Sequence, residues 1–104
     1  MSPVAIVIIF KKRTAYVDEC LDAIEGLGLT TDDIILVPDE SVAEYQDRGR
    51  IVTCNGNIPE KRNAGYRAAP AHCDWIAFVD SDAMPRRDWL MRFCDRRRVS
   101  PEAD

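Results

Sequence analysis

Apolar residues in this chain fall into runs and stripes divided by short polar stretches. The first run, "VAIVIIF" at 4–10, is continuous and mostly β-branched, the pattern of a strand covered on both faces. In the following "TAYVDECLDAIEGLG", Tyr16, Val17, Cys20, Leu21 and Ile24 recur at helical spacing, and Gly26 or Gly28 can end the helix. A second buried strand is expected at 34–37, running into the polar turn "PDES". "SVAEYQDRG" predicts a short helix with Ser41 as cap and Gly49 as stop, and "RIVTC" a short third strand closed by "NGN".

The pattern then repeats. "IPEKRNAGYRAA" predicts a helix with Pro59 in its first turn. "DWIAFVD" predicts a fourth strand, and "RRDWLMRFCDRRR" a last helix with Trp89, Leu90 and Phe93 inward. Strands and helices alternate with connections too long for hairpins, the signature of right-handed βαβ units. The expected fold is α/β: a Rossmann-like parallel sheet of about four strands with helices on both faces. At 104 residues the chain fits one domain, 1–104, and it carries no repeat, linker or low-complexity tract.

Composition narrows the picture without redirecting it. Hydrophobic residues make up 46% and charged residues 31%, a globular rather than a disordered profile. A net charge of −4 argues against general nucleic-acid binding, although six arginines crowd the stretch from 86 to 98. No apolar run approaches the ~18–20 residues of a transmembrane helix, and the N-terminal run lacks the flanks of a signal peptide. Cys20, Cys54, Cys73 and Cys94 show no C-x-x-C spacing, which argues against zinc and for reduced, mostly buried thiols in a cytoplasmic protein. A single histidine, His72, gives no support to protease-like or esterase-like nucleophilic catalysis and reads as structural.

In open parallel sheets, ligands bind outside the carboxyl ends of the strands. The polar residues after each predicted strand are Lys11, Lys12 and Arg13; Asp39, Glu40 and Ser41; Asn55, Gly56 and Asn57; and Asp80, Ser81 and Asp82. Cations and carboxylates thus converge on one rim, a seat for a phosphorylated ligand with a divalent ion. The pair Asp80 and Asp82 is the sharpest feature there. Two carboxylates one residue apart repel each other unless a cation, or plain solvent at a loop, relieves them.

Taken together, "VAIVIIF" with "YVDECLDAI", "IILVPDES", "KRNAGYRAA" and "DWIAFVDSDAMPRRDWL" resemble the N-terminal, nucleotide-binding half of family-2 glycosyltransferases, which have the GT-A fold. The resemblance covers most of the chain. It pairs an Arg-Asn-x-Gly helix with a D-x-D strand end and a trailing Pro-x-x-Trp-Leu, and this combination in context says more than a lone D-x-D.

The resemblance implies a nucleotide-diphospho-sugar donor, a UDP- or GDP-sugar, bound with Mg²⁺ or Mn²⁺. It implies Asp82 as direct metal ligand and Asp80 as the group near the ribose or metal. Asp39 matches the carboxylate that reads the base, with Pro38 and Glu40 departing from the family's Asp-Asp-Gly turn. Arg62 would reach a phosphate, Asn63 would pin neighbouring backbone, and Gly65 would allow close helix–sheet contact. At Lys11–Arg13 the chain departs from the family pattern, and a solvated charge cluster is the expectation there. Trp75 and Trp89 are expected as core anchors.

In that family the general base and the acceptor surface lie well beyond the D-x-D. The chain is therefore expected to hold a donor-binding half without the acceptor half, and to transfer a hexose only when complete. A truncated sheet edge would favour self-association or a partner chain. Two other readings stand beside this one. The first is a non-catalytic nucleotide-binding or assembly module. The second is a receiver-like or phosphatase-like domain, which would want its key Asp at the end of the first strand, where Phe10 and lysines stand.

Overall fold

The computed structural model describes residues 4–26, 31–80 and 90–95, with backbone only for Asp80 and for 90–95. Strand β1 (Val4–Ile9) is the central strand and leads to helix α1 (Ala15–Glu25). Strand β2 (Ile34–Val37) is introduced by a 3-10 turn at Thr31–Asp33. A second 3-10 turn (Ala43–Tyr45) leads to the two-residue β3 (Arg50–Ile51), helix α2 (Ile58–Ala68) and β4 (Trp75–Asp80). Strand β5 (Leu90–Asp95) closes the order.

The sheet order is β3-β2-β1-β4-β5. The first four of these strands are mutually parallel, as the sequence predicts, and β5 runs antiparallel to β4. The order reverses at β1: the chain first walks outward to β2 and β3, then crosses back to place β4 on the other side.

Each face of the sheet is covered by one helix because β1 is apolar at every position. Ile6, Ile8 and Phe10 point to one side, where Val17, Cys20, Leu21 and Ile24 of α1 meet them. Ala5, Val7 and Ile9 point to the other, against Tyr66 and Ala69 at the end of α2. Alternation along a strand thus feeds two cores at once.

Local chemistry sets the helix ends. The Thr14 hydroxyl accepts from the Val17 N–H at 3.2 Å and starts α1. Helix α2 opens with a capping box: Asn57 accepts from the Glu60 N–H, and Glu60 accepts from the Asn57 N–H, each at 2.9 Å. Gly65 on α2 faces Val7 so closely that an added Cβ would sit 2.2 Å from Val7 Cγ1. The expectation of tight helix–sheet contact there is met in the geometry.

Several expectations are corrected. The segment read as a last helix forms β5 at Leu90–Asp95, because six residues of which four are apolar cannot be assigned by periodicity alone and the open edge of β4 offers a full hydrogen-bond ladder. Tyr16 is 39% exposed rather than inward, since the buried stripe of α1 begins one residue later at Val17. Trp75 is no core anchor: at 38% exposure it starts β4 at the amino rim, beside Val4. Ser41 does not cap the Ala43–Tyr45 turn, whose N-cap is Val42 without a side-chain bond. Trp89 lies outside the described residues. Among the described residues, no helix is long and apolar enough to cross a membrane.

Candidate functional site

The carboxyl rim is built by three parallel strands ending side by side. Register pairs Ile9 with Val37 on one side and with Asp80 on the other, so the ends of β2, β1 and β4 are level. The ladder continues one step past the strands. The Phe10 N–H donates to the Val37 carbonyl at 3.2 Å, and the Asp39 N–H donates to the Lys11 carbonyl at 3.1 Å. Asp39 is therefore fixed by backbone bonds next to the end of β1, with its side chain 30% exposed.

Lys61 connects this rim to α2. Its side chain is 2% exposed; its ammonium donates to the Phe10 carbonyl at 2.7 Å and pairs with the carboxylate of Asp39. A buried ammonium is costly unless its donors are used, and two of its three N–H bonds have partners here. The neighbouring side chains are less complete. Arg62 Nε and Asn63 Oδ1 are buried and have no hydrogen-bond partner among the described residues. A buried donor and a buried acceptor left open on the same helix turn are unusual in folded chains.

At the N-terminus of α2 the Asn57 and Glu60 amides are taken by the capping box, the Lys61 amide by the Asn57 carbonyl, and Pro59 has none to offer an anion. The side chains of the next turn would have to do that work. Lys11, Lys12 and Arg13 are exposed, as expected of a solvated cluster, and Arg13 pairs with Asp18 at 3.2 Å. Behind them, the Tyr45 hydroxyl donates to Asp18, and its ring meets Phe10 edge-on at 5.8 Å between centroids. Burial, and then the bond to the Asp18 carboxylate, push the Tyr45 hydroxyl above the ordinary tyrosine range.

The structure thus brings Asp39, Arg62, Asn63 and the backbone of Asp80 to the same end of the sheet. Asp82 lies outside the described residues, and so does the side chain of Asp80. The Asn63 amide oxygen, expected to pin neighbouring backbone, has no partner among the described residues. Lys61 is the residue that sequence reasoning missed. A signal existed: Lys61 stands four residues before Gly65, on the helix stripe that must face the sheet.

His72 faces Asp33 through Nε2 at 3.2 Å on the opposite, amino-terminal rim. Of the cysteines with described side chains, Cys20 and Cys73 are buried and Cys54 half-buried, all as free thiols.

Residues 5–96 match the family model for glycosyl transferase family 2. No curated protein matches the chain, and no solved structure matches it.

Proposed function

The chain belongs to glycosyl transferase family 2, and from that premise we propose that its carboxyl rim binds a nucleotide-diphospho-sugar with a divalent cation, as the donor site of a hexose transferase. The observation that carries the proposal is the open pair Arg62 Nε and Asn63 Oδ1 beside the Lys61–Asp39 clamp. Unpartnered buried polar atoms at the point where strand order reverses are what a polar ligand would complete.

The residues divide the work along the rim. Asp39 spends Oδ1 on Lys61 and has Oδ2 to accept from a ring N–H of the base. Lys61, tied to the Phe10 carbonyl, holds that carboxylate in one orientation. Arg62 presents a planar cation to the diphosphate, and Asn63 accepts from a ligand hydroxyl. Asp80 ends β4 level with the end of β1, next to where the diphosphate would lie.

Asp80 and Asp82 supply carboxylate oxygens, the donors that hard divalent cations take, so the set fits Mg²⁺ or Mn²⁺. Such an ion, when bound, supplies Lewis-acid stabilisation of the departing nucleoside diphosphate.

Titrating the full chain with UDP and with GDP in the presence of Mg²⁺, while following backbone amides by NMR, tests this reading. The amides of residues 10, 11, 39 and 61–63 should move together and saturably. Unchanged spectra with both nucleotides would refute it. Saturable binding with no turnover of a nucleotide sugar by the intact protein would favour a non-catalytic module on the same fold.

A further inference from the structure

The amino-terminal rim, at the far end of the sheet, carries a separate group of chemistry-bearing side chains. Asp33 ends the 3-10 turn that feeds β2, and His72 and Cys73 stand in the loop before β4. Strands β2 and β4 flank β1, so the two segments meet beneath the start of the central strand. A tight turn, closed by the Cys73 N–H donating to the Pro70 carbonyl at 3.1 Å, holds the two adjacent residues in place.

One ligand atom from each residue lies within 4.8 Å of the other two. His72 Nε2 is 3.2 Å from Asp33 Oδ1, and Cys73 Sγ is 3.8 Å from the same oxygen. In a tetrahedral zinc site, with Zn–N and Zn–O of roughly 2.0–2.1 Å and Zn–S of roughly 2.3 Å, the N···O and S···O edges come to about 3.3 and 3.5 Å. The two edges to Asp33 Oδ1 need adjustments of only a few tenths of an ångström, and the imidazole-to-thiol edge, within 4.8 Å, closes toward about 3.5 Å when the exposed His72 side chain turns inward.

We propose that Asp33, His72 and Cys73 form a three-ligand site for a borderline-soft divalent ion of the Zn²⁺ type, separate from the carboxyl rim. The donor set of carboxylate, imidazole and thiol suits Zn²⁺ and is a poor match for Mg²⁺ or Ca²⁺. Binding releases the Cys73 thiol proton to solvent, and thiolate plus carboxylate then balance the charge of the ion.

The frame is stiff: Asp33 and Cys73 are 2% and 1% exposed, and both adjoin strands paired to β1. His72, about one-third exposed, gives the ion a way in from solvent and leaves the fourth position to water. The absence of C-x-x-C spacing hid this group, because its members are separated by 39 residues in sequence.

The test uses the full chain, reduced and stripped with chelator, titrated with Co²⁺ alone. One equivalent should develop a thiolate-to-cobalt charge-transfer band in the near ultraviolet, which Zn²⁺ then bleaches. Sulfur makes this signal blind to the Asp80–Asp82 pair, so Asp82→Ala should keep it unchanged. Cys73→Ser should abolish the band, and His72→Ala, at a position about one-third exposed and checked for folding by circular dichroism, should weaken affinity by roughly tenfold or more.

Zn²⁺ should also raise the melting temperature of the wild type and not of His72→Ala. No band and no thermal shift with either metal would overturn the proposal, leaving a hydrogen-bonded clamp. A band that survives Cys73→Ser would overturn it too, since its sulfur would then belong to another cysteine.

Discussion

Lys61 and Asp39 form an ion pair whose two ends differ sharply in exposure, 2% for the lysine side chain and 30% for the aspartate. The asymmetry predicts unequal mutational costs. Removing Asp39 strands a charge in the interior, whereas removing Lys61 leaves a carboxylate that can turn to water. Asp39→Ala should cost about 3–5 kcal/mol, the range for an orphaned buried charge, and Lys61→Met clearly less. Urea unfolding of both variants checks this. Equal losses would contradict the burial-based account.

Gly65 and Val7 are in the tightest helix–sheet contact of the described glycines. Gly65→Ala should therefore destabilise by about 1–3 kcal/mol through overpacking. Val7→Ala clears the contacting methyls, so the loss in the double variant should be well below the sum of the two single losses. Simple additivity in thermal or chemical unfolding would show that the strain is relieved elsewhere.

Burial pushes the Cys20 thiol from 9.0 up to about 12, and Tyr45 shifts in the same direction. Both groups hold their protons more tightly folded than unfolded. Their contribution is complete below the unfolded values, near pH 9 for Cys20, and is lost as pH rises toward the folded ones. Unfolding free energy should fall by up to roughly 1.4 kcal/mol per pH unit for each group in that window. Cys20→Ala should flatten the decline between pH 9 and 10, as read from urea midpoints.

Much of the fold was legible because the apolar runs are long enough to leave no second reading. Residues 4–10 are apolar throughout, and only a central strand with both faces covered uses all of them. The C-terminal segment was not legible for the opposite reason. Leu90–Asp95 is short and flanked by arginines, and its state was decided by the open edge of β4, a tertiary fact.

The rim followed from topology once the strands were placed, since residues after parallel strands must share one end. Lys61 was hidden by its residue type: lysine reads as surface, and only the partners Asp39 and the Phe10 carbonyl explain its burial. Arg62 and Asn63 were readable as motif residues, but their open atoms were not readable from any spacing.

Those open atoms carry a prediction of their own. A buried acceptor without a partner is a cost in the unliganded protein, so Asn63→Ala should leave stability within about 0.5 kcal/mol of wild type or raise it. The same change should weaken nucleotide binding about tenfold, the size of one lost hydrogen bond. Paired melting and binding measurements check both halves. A large loss of stability would show that Asn63 is a structural residue.

The central claim is a metal-dependent nucleotide site at the carboxyl rim, and calorimetric titration of the full chain with UDP and GDP, with and without Mn²⁺, tests it most directly. Saturable one-to-one binding of at least one nucleotide is expected, strengthened by Mn²⁺, with the Mn²⁺ effect abolished in a folded Asp82→Ala variant. Absence of heat with both nucleotides, or binding indifferent to Mn²⁺ and to Asp82→Ala, would contradict it.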